Sequence, residues 1–187
     1  MQKFTCLVFA ILFFSAVFSP ASLAYQGEAF ADNPALLTSV GQSADIEMVR
    51  VLLTRAGMPF RSEALLYADG LDSEDRTLIL VVGGSAKGLG AAGISADDEL
   101  ARSQALVNQA REMGMSVIAV HVGGDARRGA LSDRFINFAI PVADYVIVVS
   151  TGNADGLFTD LTEQAGIQLT SVGRIAEAGA PLIAAFR

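Results

Sequence analysis

Apolar positions along the chain alternate between two spacings. The runs 36–40, 78–82, 116–122, 144–149 and 167–172 are short and largely apolar on both faces, which reads as buried strands. Between them apolar residues return every three or four positions. Ile46, Val49, Leu52, Leu53 and Ala56 predict a helix over 44–56 that Gly57 ends. Leu100, Leu106, Val107, Ala110 and Met113 predict the inner face of another, opened by the capping box Ser95-Ala96-Asp97-Asp98. The spacing predicts further helices over 131–140, ended by Pro141, over 157–165, and over 175–186, the last kinked near Pro181. Residues 58–63 read as an edge strand, where Pro59 is tolerated, and 64–76 as irregular chain with a turn at Asp69-Gly70.

Six strands alternating with five helices predict an α/β fold: one doubly wound parallel sheet in a three-layer, flavodoxin-like or Rossmann-like sandwich. The expected strand order is 2-1-3-4-5 with the sixth beside the fifth. In that order the chain reverses direction between the first and third strands, so a ligand crevice is expected between the loops at Gly41 and Gly83.

The first residues carry a different signal. Lys3 precedes an apolar core over 6–17, Pro20 breaks it, and Ser22-Leu23-Ala24 supplies small residues for cleavage. Residues 1–24 therefore read as a signal peptide, 25–34 as a flexible lead-in and 35–187 as one α/β domain; an uncleaved anchor is the alternative. Cys6 lies inside the apolar segment, where a lipid-attachment cysteine would follow a small-residue cleavage box. The expected product is exported, periplasmic or secreted, and free of the membrane after cleavage. With net charge −7 and pI near 4.6 the chain lacks the clustered Lys and Arg that nucleic acid or an anionic membrane requires. Cys6 is the one cysteine, so a cleaved product has no disulfide, thiolate metal site or cysteine nucleophile. A lone histidine excludes a multi-histidine metal site. No metal or cofactor is expected, since ATP and reduced nicotinamides are scarce outside the cytoplasm.

Four loops rich in glycine or small polar residues fall at the expected carboxyl ends of strands: 41–45, 83–95, 121–129 and 150–156. The second, Gly83-Gly84-Ser85-Ala86-Lys87-Gly88-Leu89-Gly90, offers bare backbone N–H groups and a cation for an anion, or simply a flexible lid. It is neither a P-loop, whose Lys follows the last glycine, nor G-x-G-x-x-G. Ser43 reads as a helix cap or a nucleophile, while Asp45 and Glu47 would repel a phosphate placed there. His121 ends a buried strand and reads as a general acid/base or a packed core residue. Of Arg127 and Arg128, one is expected to bind a carboxylate or phosphate and the other to form a salt bridge. Asn153, Asp155 and Gly156 read as a turn and helix start or as part of a ligand shell. A hydrolase would combine Ser43 or Ser85 with His121 and Asp125 or Asp155, although no G-x-S-x-G elbow exists.

The blocks Thr38-Ser-Val-Gly-Gln-Ser-Ala-Asp45, 82–93, 121–135 and Gly152-Asn-Ala-Asp-Gly-Leu-Phe158 resemble those of a family of exported bacterial proteins, domain of unknown function 6305. The resemblance spans nearly all of residues 34–186 and implies a bacterial extracytoplasmic protein. It implies no particular reaction.

The expected function is an exported binding domain for a small polar or anionic solute, presented in turn to a transporter or sensor. The candidate ligand set is Gln42, Ser43, Gly83, Gly84, Ser85, Lys87, Gly88, Gly124, Arg127, Arg128 and Asn153. The alternatives are an extracytoplasmic hydrolase or isomerase using His121, and a structural or interaction domain without catalysis.

Overall fold

A strand that is apolar on both faces is stable only inside a sheet covered on both sides. The computed structural model, which describes residues 27–187, builds such a sheet. Its strands are β1 (Ala35–Val40), β2 (Phe60–Ser62), β3 (Thr77–Val82), β4 (Ser116–His121), β5 (Tyr145–Val149) and β6 (Gln168–Val172). All five pairings are parallel, in the order β2-β1-β3-β4-β5-β6. The expected topology is therefore the observed one. The signal-peptide reading lies outside the described residues.

Six helices flank the sheet: α1 (Asp45–Arg55), α2 (Ala86–Ala92), α3 (Ala96–Glu112), α4 (Ala130–Ala139), α5 (Leu157–Ala165) and α6 (Gly179–Ala184). Alternate strand residues divide the core in two. Leu36, Leu78, Leu80 and Val146 meet Leu89, Leu106, Phe135 and Phe158 from α2 to α5. Leu37, Ile79, Ile118 and Ile147 meet Val49 and Leu53 of α1 and Leu182 of α6. In the register, Ala35 faces Thr77 and Val40 faces Val82, so β1 and β3 end flush. Gly41 and Gly83 consequently leave the sheet side by side.

Four expectations change. The glycine-rich segment is no bare loop: Ser85 accepts a hydrogen bond from Gly88 N at 3.0 Å and caps α2, the sixth helix. The flexible lead-in is docked from Phe30 onward. Ala31 is fully buried, its N–H bonds the Ala185 carbonyl, and Thr77 Oγ1 donates to the Asp32 carbonyl at 2.7 Å. The final helix breaks into a 3₁₀ turn, Ile175–Ala178, before α6. Pro181 then falls in the first turn of α6, where its missing N–H costs no helical bond. The edge strand shortens to three residues. The capping box stands: Ser95 Oγ accepts from Asp98 N, and the Asp98 carboxylate accepts from Ser95 N.

Beneath the β1–α1 turn lies a charged pair that apolar patterning does not anticipate. Glu99 and Arg102 of α3 are buried and joined at 2.7 and 2.8 Å. Glu99 Oε1 also accepts from Gly41 N at 2.8 Å and Gln42 Nε2 at 3.1 Å. Arg102 donates to the carbonyls of Ser39, at 2.7 Å, and Leu66. The pair ties α3 to β1 and to the irregular chain after β2. Glu99→Ala would leave Arg102 buried without its counter-charge, and a loss of about 3–5 kcal/mol in folding stability is expected by urea denaturation.

Candidate functional site

Parallel strands that end flush leave adjacent backbone groups to be bonded across the gap. Gly83 N donates to the Val40 carbonyl at 2.9 Å and Ser85 N to the Gly41 carbonyl at 2.8 Å. The turns after β1 and β3 are thus stitched together at the switch point. Gln42 takes φ of 56°, a left-handed conformation that costs a non-glycine residue on the order of 1 kcal/mol. Its side-chain amide is held on both sides, donating to the Ala64 carbonyl at 3.0 Å and to Glu99. Gly88 of α2 rests on the Gln42 carbonyl so closely that a Cβ there would overlap it.

Above this stitched floor lies a cleft of about 670 Å³. Gln42, Ser43, Ser85, Lys87, Gly88 and Arg127 of the candidate set line it. Ile46, Ala64, Ala91 and Ala92 supply an apolar wall that the sequence reading did not single out. Lys87 is exposed and forms no ion pair among the described residues. Arg127 stands 3.4 Å from Asp45, a long contact between two partly buried side chains. Asp45 Oδ2 is nevertheless buried and accepts no hydrogen bond. Gly123 makes room for this carboxylate, because a Cβ there would lie 2.5 Å from Oδ2.

The rest of the candidate set is placed elsewhere. Gly83 is buried in the floor, and Gly84 N donates to Ser132 Oγ of α4 at 2.9 Å. Gly124 is buried against Thr151. Arg128 is the salt-bridging arginine: it bonds Asp133 at 2.8 Å and Asp155 at 2.8 and 2.9 Å, donates to the Gly152 carbonyl, and lies 5.8 Å from the centre of the Phe158 ring. Those hydrogen bonds hold the Asp155 carboxyl at about 2. Asn153 caps α5, its Oδ1 accepting from Phe158 N at 2.8 Å. Gly124 and Arg128 thereby lock the loops after β4 and β5 together.

Of the two readings of His121, the packed core residue is the one its surroundings match. It is fully buried against Phe158 and Gly152. Nδ1 lies 2.9 Å from the Val82 carbonyl and Nε2 3.2 Å from the Gly124 carbonyl, so neither nitrogen reaches the cleft or a serine. A neutral ring has one N–H for these two acceptors. Burial pushes the imidazole pKa below its usual 6.5, outweighing the two carbonyls that favour the cation.

A second cleft, of about 520 Å³, opens at the amino end of the sheet beside Asn108, Pro141 and Gly166. The arginine on its wall, Arg111, is already bonded to Asp144 at 2.7 Å and to the Val142 carbonyl at 2.6 Å. Among the described residues no group of three or more His, Cys, Asp or Glu side chains is placed to hold a metal ion. No helix among them is long and apolar enough to cross a membrane.

Two outcomes follow from this geometry. Gly88→Ala forces α2 off the Gln42 turn, and chemical denaturation should show a loss of about 1–3 kcal/mol. For His121, the unfolded chain binds a proton below about pH 6.5 and the folded chain resists it, so this residue makes stability fall as pH falls through that value. Titration of the single imidazole by NMR should give a pKa below 6.5, and His121→Gln should flatten the stability profile between pH 7.5 and pH 5.

No curated protein matches the chain. Among solved structures it is similar to a GDSL-like lipase from Bacteroides thetaiotaomicron VPI-5482, at 9% identity over 76% of this chain and 72% of that one, with a TM-score of 0.34. The model of the family described as Domain of unknown function (DUF6305) matches residues 32–186, and the chain belongs to that family.

Proposed function

We propose that this protein is an exported binding domain that holds a small polar or anionic solute in the cleft at the β1–β3 switch point, for presentation to a transporter or sensor. The observation that carries this reading is convergence. Residues from three separate loops, Gln42 and Ser43, then Ser85, Lys87 and Gly88, and Arg127, meet on one cleft, and Lys87 has no ion partner among the described residues.

The hydrolase or isomerase alternative has less support. The chain has one histidine, and it is sealed between two carbonyls. Ser43 Oγ accepts from Asp45 N at 3.2 Å and Ser85 Oγ from Gly88 N, so both hydroxyls serve turns. Neither is bonded to a base.

Thermal-shift and NMR titration of the purified protein against acetate, phosphate, succinate, glycine and glucose tests the proposal. A ligand should raise the melting temperature and perturb backbone signals of residues 42–47 and 85–92. Lys87→Ala should weaken it about tenfold or more, the size of a lost charge-assisted contact, and Arg127→Ala, whose guanidinium already faces Asp45, should weaken it less. His121→Gln should leave affinity nearly unchanged. A ligand indifferent to both cations, or perturbing only the amino-end cleft, would overturn the assignment.

A further inference from the structure

Resting on the binding reading, we infer that the cleft selects a small monocarboxylate with a short apolar body. The first observation is charge. Lys87, Arg127 and Glu47 line the cleft, with Asp45 behind Arg127. Arg127 already faces Asp45, and Glu47 is bonded to Arg50. Lys87 is left as the charged group on the cleft without an ion partner among the described residues. One unpaired cation balances one negative charge. A dianion would place its second charge near Glu47 and Asp45, against like-charge repulsion.

The second observation is hydrogen-bonding capacity. Both amide protons of Gln42 are committed, to Ala64 and Glu99, so this side chain has no donor left for a ligand. Ser85 Oγ accepts from Gly88 N and keeps its own proton to donate beside Lys87. Ser43 Oγ, also on the cleft, accepts from Asp45 N and keeps its proton in the same way, so one ammonium and two hydroxyls are available for a single carboxylate head.

The third observation is the wall. Ala44, Ile46, Ala64, Ala91 and Ala92 face the same space with no polar side-chain atoms. These are mostly methyl groups, so the surface is shallow and matches a few methylenes rather than an aromatic ring or a long acyl chain. Head and wall together describe an amphiphilic acid of a few carbons.

Calorimetric titration of the full-length protein with acetate, propionate, butyrate, valerate and hexanoate tests the class, with phosphate, succinate, alanine and butanol as comparators. Affinity should tighten about two- to fourfold per added methylene, as expected for partial to full burial, and level off within the series. Lys87→Gln should weaken every acid by the same factor, while Ala91→Asn should weaken the longer acids and spare acetate. Both positions are exposed, and unchanged melting temperatures would confirm intact folding. Affinity independent of chain length, or phosphate or succinate binding more tightly than butyrate, would overturn the monocarboxylate class while leaving the cleft as a binding site. Alanine ahead of propionate would replace it by a zwitterion, and butanol equal to butyrate would remove the charged head. Failure of every probe, here and in the wider panel, would overturn the binding reading itself.

Discussion

A buried carboxylate must have its lone pairs satisfied, and the architecture of the rim follows from how Glu99 meets that requirement. Its partners are Arg102, the backbone N–H of Gly41 and the amide of Gln42. Replacing such a pair by apolar residues can be neutral for stability, so its presence calls for another reason. The reason visible in the geometry is shape. The pair holds Gln42 in a left-handed conformation and keeps its carbonyl against Gly88, which fixes the distance between α1 and α2. The cleft is the space between those two helices.

The carboxyl rim divides into two halves with opposite character. On the β4–β5 side nearly every polar group is consumed internally: Arg128 by two carboxylates and a carbonyl, Asn153 by the start of α5, His121 by two carbonyls. On the β1–β3 side polar groups are left over among the described residues, namely Lys87 and the hydroxyl protons of Ser43 and Ser85, with Asp45 Oδ2 buried between Gly83 and Gly123. Internally satisfied networks rigidify, whereas surplus groups have binding capacity. Arg127 is the member of the β4 loop that crosses to the open half, drawn by Asp45.

The fold was legible because its strands are doubly apolar and its helices strongly periodic, and both signals are local. The strand order and the side-by-side placement of Gly41 and Gly83 came from the general behaviour of doubly wound sheets. What escaped was local order inside a glycine-rich segment: α2 forms because Ser85 caps it and Leu89 reaches the core, despite the weak helix propensity of Gly88 and Gly90. Glu99 was findable, since 99, 103, 106 and 110 follow helical spacing and the last two were already assigned to the inner face. A charged residue on that face is a signal that hydrophobic periodicity alone passes over.

Taken by itself, the sequence determined the class of sheet, the positions of most elements and the rim on which small residues gather. Each of these depends on short-range pattern, which a linear chain carries explicitly. Only the tertiary structure decided which rim residues are spare. His121 and Arg128 have the same chemistry as true ligands, and the difference lies in whether partners far along the chain, the Val82 carbonyl on β3 and the Asp155 carboxylate, have already taken their hydrogen bonds. That is settled by packing, because a polar group becomes available only when the fold leaves it without a partner.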